Sequence, residues 1–417
     1  MYNPFKKILK SFGYGRSSGI TVGDIISVDK YSNDLSSTMN YAQLADSGYI
    51  KNYVSNKCIR ATMQALGDLK FDILINGENI ADKTDRVSVA FKNLVRDPNA
   101  DYSWGDFIGA VYNGRTIDGS GYVYPEFYND GRPMSIEYFR PDRVTKICSE
   151  DERIHSYLYS RGSRQQVFQR DEDGRFDLLE WRAYNPVNDI NGLSSVRTAG
   201  LAIDGLTAAE RWNKQILENG GKYSGIASVV DGENMQQLDE EELTKLENKF
   251  NQKANSSLGG WLISNAPLKI ESMGLNASEL DWVNGMRAYA VGIANSMDYP
   301  PFLLNLESTT FTNMDSAKLF WYEASIIPKA NDLYGRLGAF YSRKLGMDVE
   351  FKVDLTKIVA LFPRMIELSD FTRNLYKDGL ISQNEGREKL NLEPTAFGDD
   401  LFTDQNNTPA FGAEPMT

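Results

Sequence analysis

Two adjacent prolines, Pro300 and Pro301, interrupt the most sustained helical pattern in this 417-residue chain, so that pattern must fold as two helices joined by a turn. Pro300 disfavours helical geometry at Tyr299, and neither ring supplies an N–H to the helix. Before them, Leu280, Val283, Met286, Tyr289, Ala290, Ile293 and Met297 recur at three- and four-residue steps, which places them on one helical face. Ser278, with Asp281 three residues on, reads as a capping pair at the start. After the prolines comes a polar stretch without Lys or Arg: Glu307, Ser308, Thr309, Thr310, Phe311, Thr312 and Asn313. Asp315 or Ser316 is expected to cap a longer helix that runs to Gly346 through Leu319, Phe320, Tyr322, Ile326, Leu333, Leu337 and Tyr341, with a kink at Pro328. Such a pair could form the inner wall of a channel or line a cleft in a helical enzyme. Spacing alone leaves both open.

Composition narrows the choice. The length exceeds what one core usually serves, so two or more domains are expected. The chain is 41% hydrophobic, yet no apolar run approaches the roughly 20 residues of a membrane span, and a water-soluble protein is expected. Met1 to Lys10 carries charge without an apolar core and reads as a short amphipathic helix rather than a secretory signal. Cys58 and Cys148 lie outside any metal-ligand spacing and fit a reducing compartment, Cys58 as a core residue. The one histidine, His155, leaves little room for Ser-His or Cys-His catalysis or for a histidine metal site. Carboxylates are abundant, but no spacing selects a catalytic pair. No catalytic residue, metal ligand or cofactor is therefore assigned. A net charge of −12 argues against gripping nucleic acid through its phosphates, although an acidic wall could surround a duplex and let it slide.

In chain order, residues 1–48 are rich in Gly, Ser and Asn and read as a flexible arm. An amphipathic helix from Tyr49 stops at Gly67, and Phe71, Ile73 and Ile75 alternate before an Asn76-Gly77 hairpin turn. A helix after Trp104 leads to Gly119 and Gly121, which read as a turn into a strand. Six strands then follow, Tyr122–Tyr128, Ser135–Phe139, Arg143–Ile147, Tyr157–Ser160, Gln166–Gln169 and Leu178–Tyr184. A helix of about 24 residues starts at Ser194 or Ser195 and ends at Gly220. A small unit follows: strand Ile226–Val230, a helix from Leu238 to about Lys253 opening on Asp239, Glu240 and Glu241, and strand Trp261–Ile263. Beyond Gly346, Val349 to Leu355 alternates as a strand, two helices cover Leu355–Phe362 and Arg364–Lys377, and Ser382 with Glu385 forms a capping box. Phe397 to Thr417 reads as a tail with little reason to fold.

Several of these landmarks together resemble the portal proteins of long-tailed bacteriophages. Ile293-Ala294, Pro300-Pro301, Leu303-Leu304 and Thr312-Asn313 stand in that family's order. So do Pro98-Asn99, Trp104, Phe107 and Gly121-Tyr122, then Gly192-Leu193-Ser194 with Ser195 in place of a proline, then Ser224-Gly225. Ser382, Asn384, Glu385, Arg387, Leu392 and Pro394 match the most specific motif, near the C-terminus. The resemblance covers roughly residues 50 to 395. It implies an α+β portal fold with a mixed α/β wing (49–193), stem helices (194–221 and 278–299), a small α/β clip (222–277) and a tunnel-loop region (300–316). A long kinked helix and wing return strand (317–354), a helical crown (355–396) and a disordered tail (397–417) complete it. The implied function is a ring, expected to be a dodecamer, at one capsid vertex of a virion assembled in the bacterial cytoplasm. Double-stranded DNA passes through it during packaging and ejection, and the ring meets the large terminase, the head-tail adaptor and the major capsid protein or scaffold, with no membrane. Glu307 to Asn313 would be the tunnel loop facing DNA, and Asp239, Glu240, Glu241, Lys245 and Lys249 the clip surface for partners. From other classes, a soluble acidic hydrolase with a cleft lined by the Pro-Pro segment, and a ring-forming scaffold or adaptor that translocates nothing, stay as alternatives.

Overall fold

A computed structural model of the chain describes residues 26–27, 40–149, 153–218, 225–229, 244, 268–272, 282–306, 311–390, 392 and 394–401. Local chemistry sets the first elements. Strand β1 (Ile26–Ser27) pairs with a later strand, and Asn40 with Gln43 forms a capping box on helix α1 (Tyr41–Ala45), which runs into a π turn, Asp46–Ile50. These elements lie within the stretch expected to be an arm. Helix α2 (Tyr53–Gly67) starts later than its apolar pattern suggests, because the Asn52 side chain accepts from Ser55 N–H and fixes the cap there. Ile50 and Tyr53 are consequently exposed, while Val54, Cys58, Ile59 and Leu66 are buried. The Asn76-Gly77 turn, with both residues at positive φ, joins β2 (Phe71–Ile75) to β3 (Glu78–Asn79) as the sequence predicts.

Helix α3 (Arg86–Arg96) is capped by Asp85 and α4 (Trp104–Asp118) by Ser103. Helices α2 and α4 meet where Gly67 and Gly105 bring their backbones together: a Cβ on Gly67 would sit 2.8 Å from the Gly105 carbonyl oxygen. Gly119, at φ +97°, turns the chain into β4 (Ser120–Phe127). The six expected strands are all present, as β4, β5 (Pro133–Phe139), β6 (Val144–Cys148), β7 (Ile154–Arg161), β8 (Arg164–Gln169) and β9 (Leu179–Arg182). They form two antiparallel sheets, ordered β5-β4-β9 and β1-β6-β7-β8, which share a core of Tyr122, Phe139, Tyr157, Tyr159, Phe168 and Leu178.

The helix expected from Ser194 is divided. Ser194 caps a single turn, α5 (Ser195–Thr198), and the long helix α6 (Gly200–Glu218) begins after Ala199, where Gly200 is a poor residue to carry a helix through. Strand β10 (Gly225–Val229) pairs antiparallel with β11 (Leu268–Ser272). The expected helix from Leu238, apart from Thr244, which is helical, and strand Trp261–Ile263 lie outside the described residues, as do Ser278 and Asp281. Helix α7 (Trp282–Ser296), helix α8 (Phe311–Trp321) and helix α9 (Ile327–Leu345) follow, with a π turn, Tyr322–Ile326, between the last two.

Gly346 ends α9 in the left-handed conformation and delivers the chain to β12 (Val349–Val353), which pairs with β2 to give the sheet order β12-β2-β3. This strand closes the larger core: Phe351 lies among the rings of Phe71, Phe91, Trp104, Tyr334 and Tyr341. The helix expected over Leu355–Phe362 is instead two 3₁₀ turns, Leu355–Lys357 and Val359–Leu361. The Asp354 carboxylate holds Thr356 by its N–H and hydroxyl, and Ile358 is extended, so no helical turn propagates. Helix α10 (Phe362–Lys377) starts with Pro363 in its first turn, and α11 (Gln383–Lys389) carries the expected Ser382–Glu385 capping box. Leu401, within the expected tail, forms an isolated bridge to Ser382.

Candidate functional site

The Pro-Pro turn is held from both sides. Helix α7 ends at Ser296, before the prolines: Asp298 takes φ +53°, and Tyr299 N–H returns to the Ala294 carbonyl at 2.9 Å. An aspartate visits the left-handed region at lower cost than most residues. Pro301–Leu304 then forms a 3₁₀ turn that closes on Asn305, also at positive φ. From α2, Lys57 Nζ donates to the Leu303 carbonyl at 3.0 Å and Ser55 Oγ reaches Met297 Sδ at 3.6 Å. Tyr299 packs edge-on against Trp321 with centroids 5.1 Å apart.

Lys329 ties the far side. It follows Pro328 near the start of α9, and its Nζ donates to Asp298 Oδ2 at 2.9 Å and Ser325 Oγ at 2.6 Å. Burial lowers its pKa, with the Asp298 charge opposing that shift. Pro328 was expected to kink the long helix. The chain resolves the missing N–H with the π turn, in which Ile327 N–H bonds the Tyr322 carbonyl, so that the proline falls in the first turn of α9. One turn further on, Asp332 accepts from Trp181 Nε1 at 2.7 Å and from Arg336 Nε at 2.8 Å, while the Arg115 guanidinium lies 4.4 Å from the Trp181 ring centroid. The turn and helix α9 are thereby fixed to α4 and β9.

Between the turn and α8 lies a cleft of about 680 Å³, lined by Tyr299, Pro300, Pro301, Phe302, Asn313, Phe320 and Trp321 among others. Among the described residues its one carboxylate, Asp298, is paired with Lys329, and the described lining offers no second acid, no histidine and no cysteine. Cys58 is wholly buried, and burial pushes its thiol to about 12, the state of a packing residue.

The predicted helix faces are partly redrawn. Ala290, Ile293, Ala294 and Met297 are buried, but Val283 is 65% exposed, and Tyr289 lies over Gly205 of α6, where an added Cβ would sit 2.6 Å from the ring. Helix α8 begins at Phe311, so Asp315 and Ser316 sit inside it rather than at its cap. Of the polar stretch, Phe311, Thr312 and Asn313 form the first turn of that helix, with Asn313 exposed. Glu307, Ser308, Thr309 and Thr310 lie outside the described residues, and so do Asp239, Glu240, Glu241, Lys245 and Lys249. Sequence reading missed Asp298, Ser325 and Lys329. Its one signal was the four-residue spacing of Ser325 and Lys329 on a helix face.

The sequence profile of phage portal proteins matches residues 54–391. Uncharacterized proteins of Rickettsia bellii (strain RML369-C) and Rickettsia felis (strain ATCC VR-1525 / URRWXCal2) are each 25% identical over 359 residues, 85% of this chain and 90% of theirs. A chain from the neck of an empty gene transfer agent particle, computed with C6 symmetry, superposes with a TM-score of 0.64 at 23% identity, covering 86% of this chain and 95% of its own. A chain from the native gene transfer agent virion gives 0.63 at 21% identity, covering 94% and 99%. The HK97-family phage portal protein of Corynebacterium diphtheriae gives 0.51 at 12% identity, covering 75% and 94%. These structures share the fold described above.

Proposed function

The chain belongs to the phage portal protein family, and we propose that it forms the ring through which double-stranded DNA enters and leaves the capsid of a tailed phage or gene-transfer-agent-like particle. The observation that carries this reading is the reach of the family match, which spans residues 54–391 and so takes in β2 to β12, the helix pair and the C-terminal motif as far as Arg387. A dodecamer at one capsid vertex is the assembly we favour. Support comes from neck structures of similar fold, one computed with C12 symmetry, and from apolar side chains this chain leaves in solvent, such as Leu201 at 89% exposure.

In this ring α6 and α7 form the stem, and Glu307 to Asn313 project toward the duplex. The stretch has no cation, so it would guide DNA by contact rather than grip its phosphates. Asp239, Glu240, Glu241, Lys245 and Lys249 would present the clip to the large terminase during packaging and to the head-tail adaptor afterwards, while the major capsid protein or scaffold surrounds the ring. The protein would catalyse nothing, and ATP hydrolysis would belong to the terminase. Among the described residues the cleft beside Pro300 offers a hydrolase a single acid, Asp298, which is already paired with Lys329.

Electron microscopy of the purified protein with mass measured in parallel tests this reading. Rings with a central hole and a mass near twelve times 46.9 kDa are expected. A compact monomer at every salt and protein concentration, and in the presence of capsid scaffold, would overturn it. Replacing Thr309 and Thr310 with Lys should slow DNA packaging in a reconstituted system; an unchanged rate would remove the tunnel-loop assignment while leaving the ring intact.

A further inference from the structure

A buried polar cluster joins the strands to the start of the stem and plays no part in the pore assignment. Glu180, on β9, has its side chain 9% exposed and accepts three hydrogen bonds: from Ser120 Oγ at 2.7 Å, Lys146 Nζ at 2.6 Å and Tyr157 OH at 2.8 Å. Lys146, on β6 and 6% exposed, divides its ammonium between Glu180 and the Ile190 carbonyl, also at 2.6 Å. Arg182 Nη1 gives that carbonyl a second donor at 2.9 Å and reaches the Asp189 carbonyl as well. Two cations therefore grip consecutive carbonyls, and Glu180 positions one of them.

The same segment is pinned again nearby. Gly192 lies against Gly119 so closely that a Cβ on Gly192 would sit 2.0 Å from the Gly119 oxygen, and Ala183 N–H donates to that oxygen at 2.8 Å. Ser194, the cap of α5, donates its hydroxyl to the Thr116 carbonyl at 3.2 Å. Residues 183–194 connect β9 to α5 and α6, so each contact acts on the point where the stem departs.

An apolar pair of similar volume would hold the sheets together at least as well, because a buried ion pair must offset its own desolvation. What the charges add is direction. A lysine fixed by Glu180 accepts one placement of the Ile190 carbonyl, whereas an apolar contact tolerates sliding. We propose that Lys146, held by Glu180, is a positioning residue that latches residues 183–194 in one register and so fixes the angle at which α6 leaves the strands. Its consequence for ring geometry rests on the portal reading; the latch itself is readable in any oligomer.

The test uses the full-length protein and three variants: Lys146→Met, the double variant Lys146→Met with Glu180→Gln, and Gly192→Ala. The double variant removes both members of the buried ion pair, and the glutamine placed at position 180 can still bond both hydroxyls, its Oε1 accepting from one and its amide N–H donating to the other, so it should fold cooperatively. Amide hydrogen exchange over residues 185–193 should nonetheless rise about tenfold or more while the core strands keep their protection. Gly192→Ala should loosen the same residues while leaving the Lys146–Glu180 pair in place, since its Cβ would meet the Gly119 backbone and, at 3.1 Å, Arg182 Cγ. Lys146→Met alone should lower the melting temperature as well. Rings of the double variant should show a broadened distribution of subunit numbers or stem angles in electron micrographs. Exchange over 185–193 unchanged in the double variant, or raised evenly across the whole chain, would overturn the latch. A parent protein that stays monomeric at every salt and protein concentration, and with capsid scaffold present, would overturn the portal reading, and the exchange comparison would still decide the latch.

Discussion

Asp118 closes helix α4, where the helix's own negative pole opposes its charge. Burial lifts its carboxyl to about 6, with Glu180 and Asp142 adding repulsion and Lys146 and Arg197 pulling the other way. The folded value lies above the ordinary carboxylate value of 3.8, so folding favours the protonated form. Its stabilising contribution is complete below about 3.8 and is lost as pH rises through about 6. At pH 7.5 the native state thus carries a cost on the order of 3 kcal/mol from this one group. Asp118→Asn should raise the melting temperature at pH 7.5 and flatten the stability profile between pH 7 and 5. Calorimetry at pH 7.5, 6 and 5 checks this; parallel profiles for parent and variant would contradict it. Glu180 has the opposite sign. Burial pushes its pKa up, but Lys146, Ser120 and Tyr157 together bring it below the ordinary range, so its contribution is lost only as pH falls through that depressed value.

Strand β12 shows how an element near one end of the chain completes a core begun near the other. Phe351 has ring centroids 5.9 to 6.4 Å from those of Phe71, Phe91, Trp104, Tyr334 and Tyr341, and it is 5% exposed. Phe351→Ala should cost about 3–5 kcal/mol, whereas Glu350→Ala, on the exposed face, should stay within about 0.5 kcal/mol. Urea unfolding of the two variants separates them. The alternation of Val349, Phe351 and Val353 is visible in the sequence, as are the Asn76-Gly77 turn and the Ser382–Glu385 box, because each is set by residues within a few positions. The pairing of β12 with β2 is not visible, since nothing local specifies a partner strand. Helix α8 was misplaced because Thr309, Thr310, Thr312, Asp315 and Ser316 are all competent or near-competent caps, and the sequence does not rank them. The Lys146–Glu180 pair left one signal that went unread: alternation puts Lys146 on the same face of β6 as Cys148, so a lysine had to be inside.

Helix α10 poses the clearest question for the molecule as a whole. Of its 16 residues only Thr372 is buried, and Ile366 and Phe371 are 64% and 56% exposed. A helix of this length draws little stability from its own hydrogen bonds in water, so its apolar face needs cover. Leu201 on α6 and Val283 on α7 pose the same need along the proposed stem, at 89% and 65% exposure. In a ring, neighbouring copies would supply that cover through head-to-tail contacts that close by rotation. Substituting Glu for both Ile366 and Phe371 places two charges on such a contact without disturbing a buried group of the single chain. The variant should keep the far-ultraviolet spectrum and the melting transition of the strand core, yet sediment as monomers or small oligomers where the parent forms rings. Leu201→Glu asks the same of the stem, and Asp177→Asn, which removes only the surface partner of Lys344, serves as the control that should leave assembly unchanged. Rings of parental mass from the Ile366 and Phe371 variant would mean that α10 faces solvent in the assembly and that the subunits are held by the stem and the strand-rich region alone.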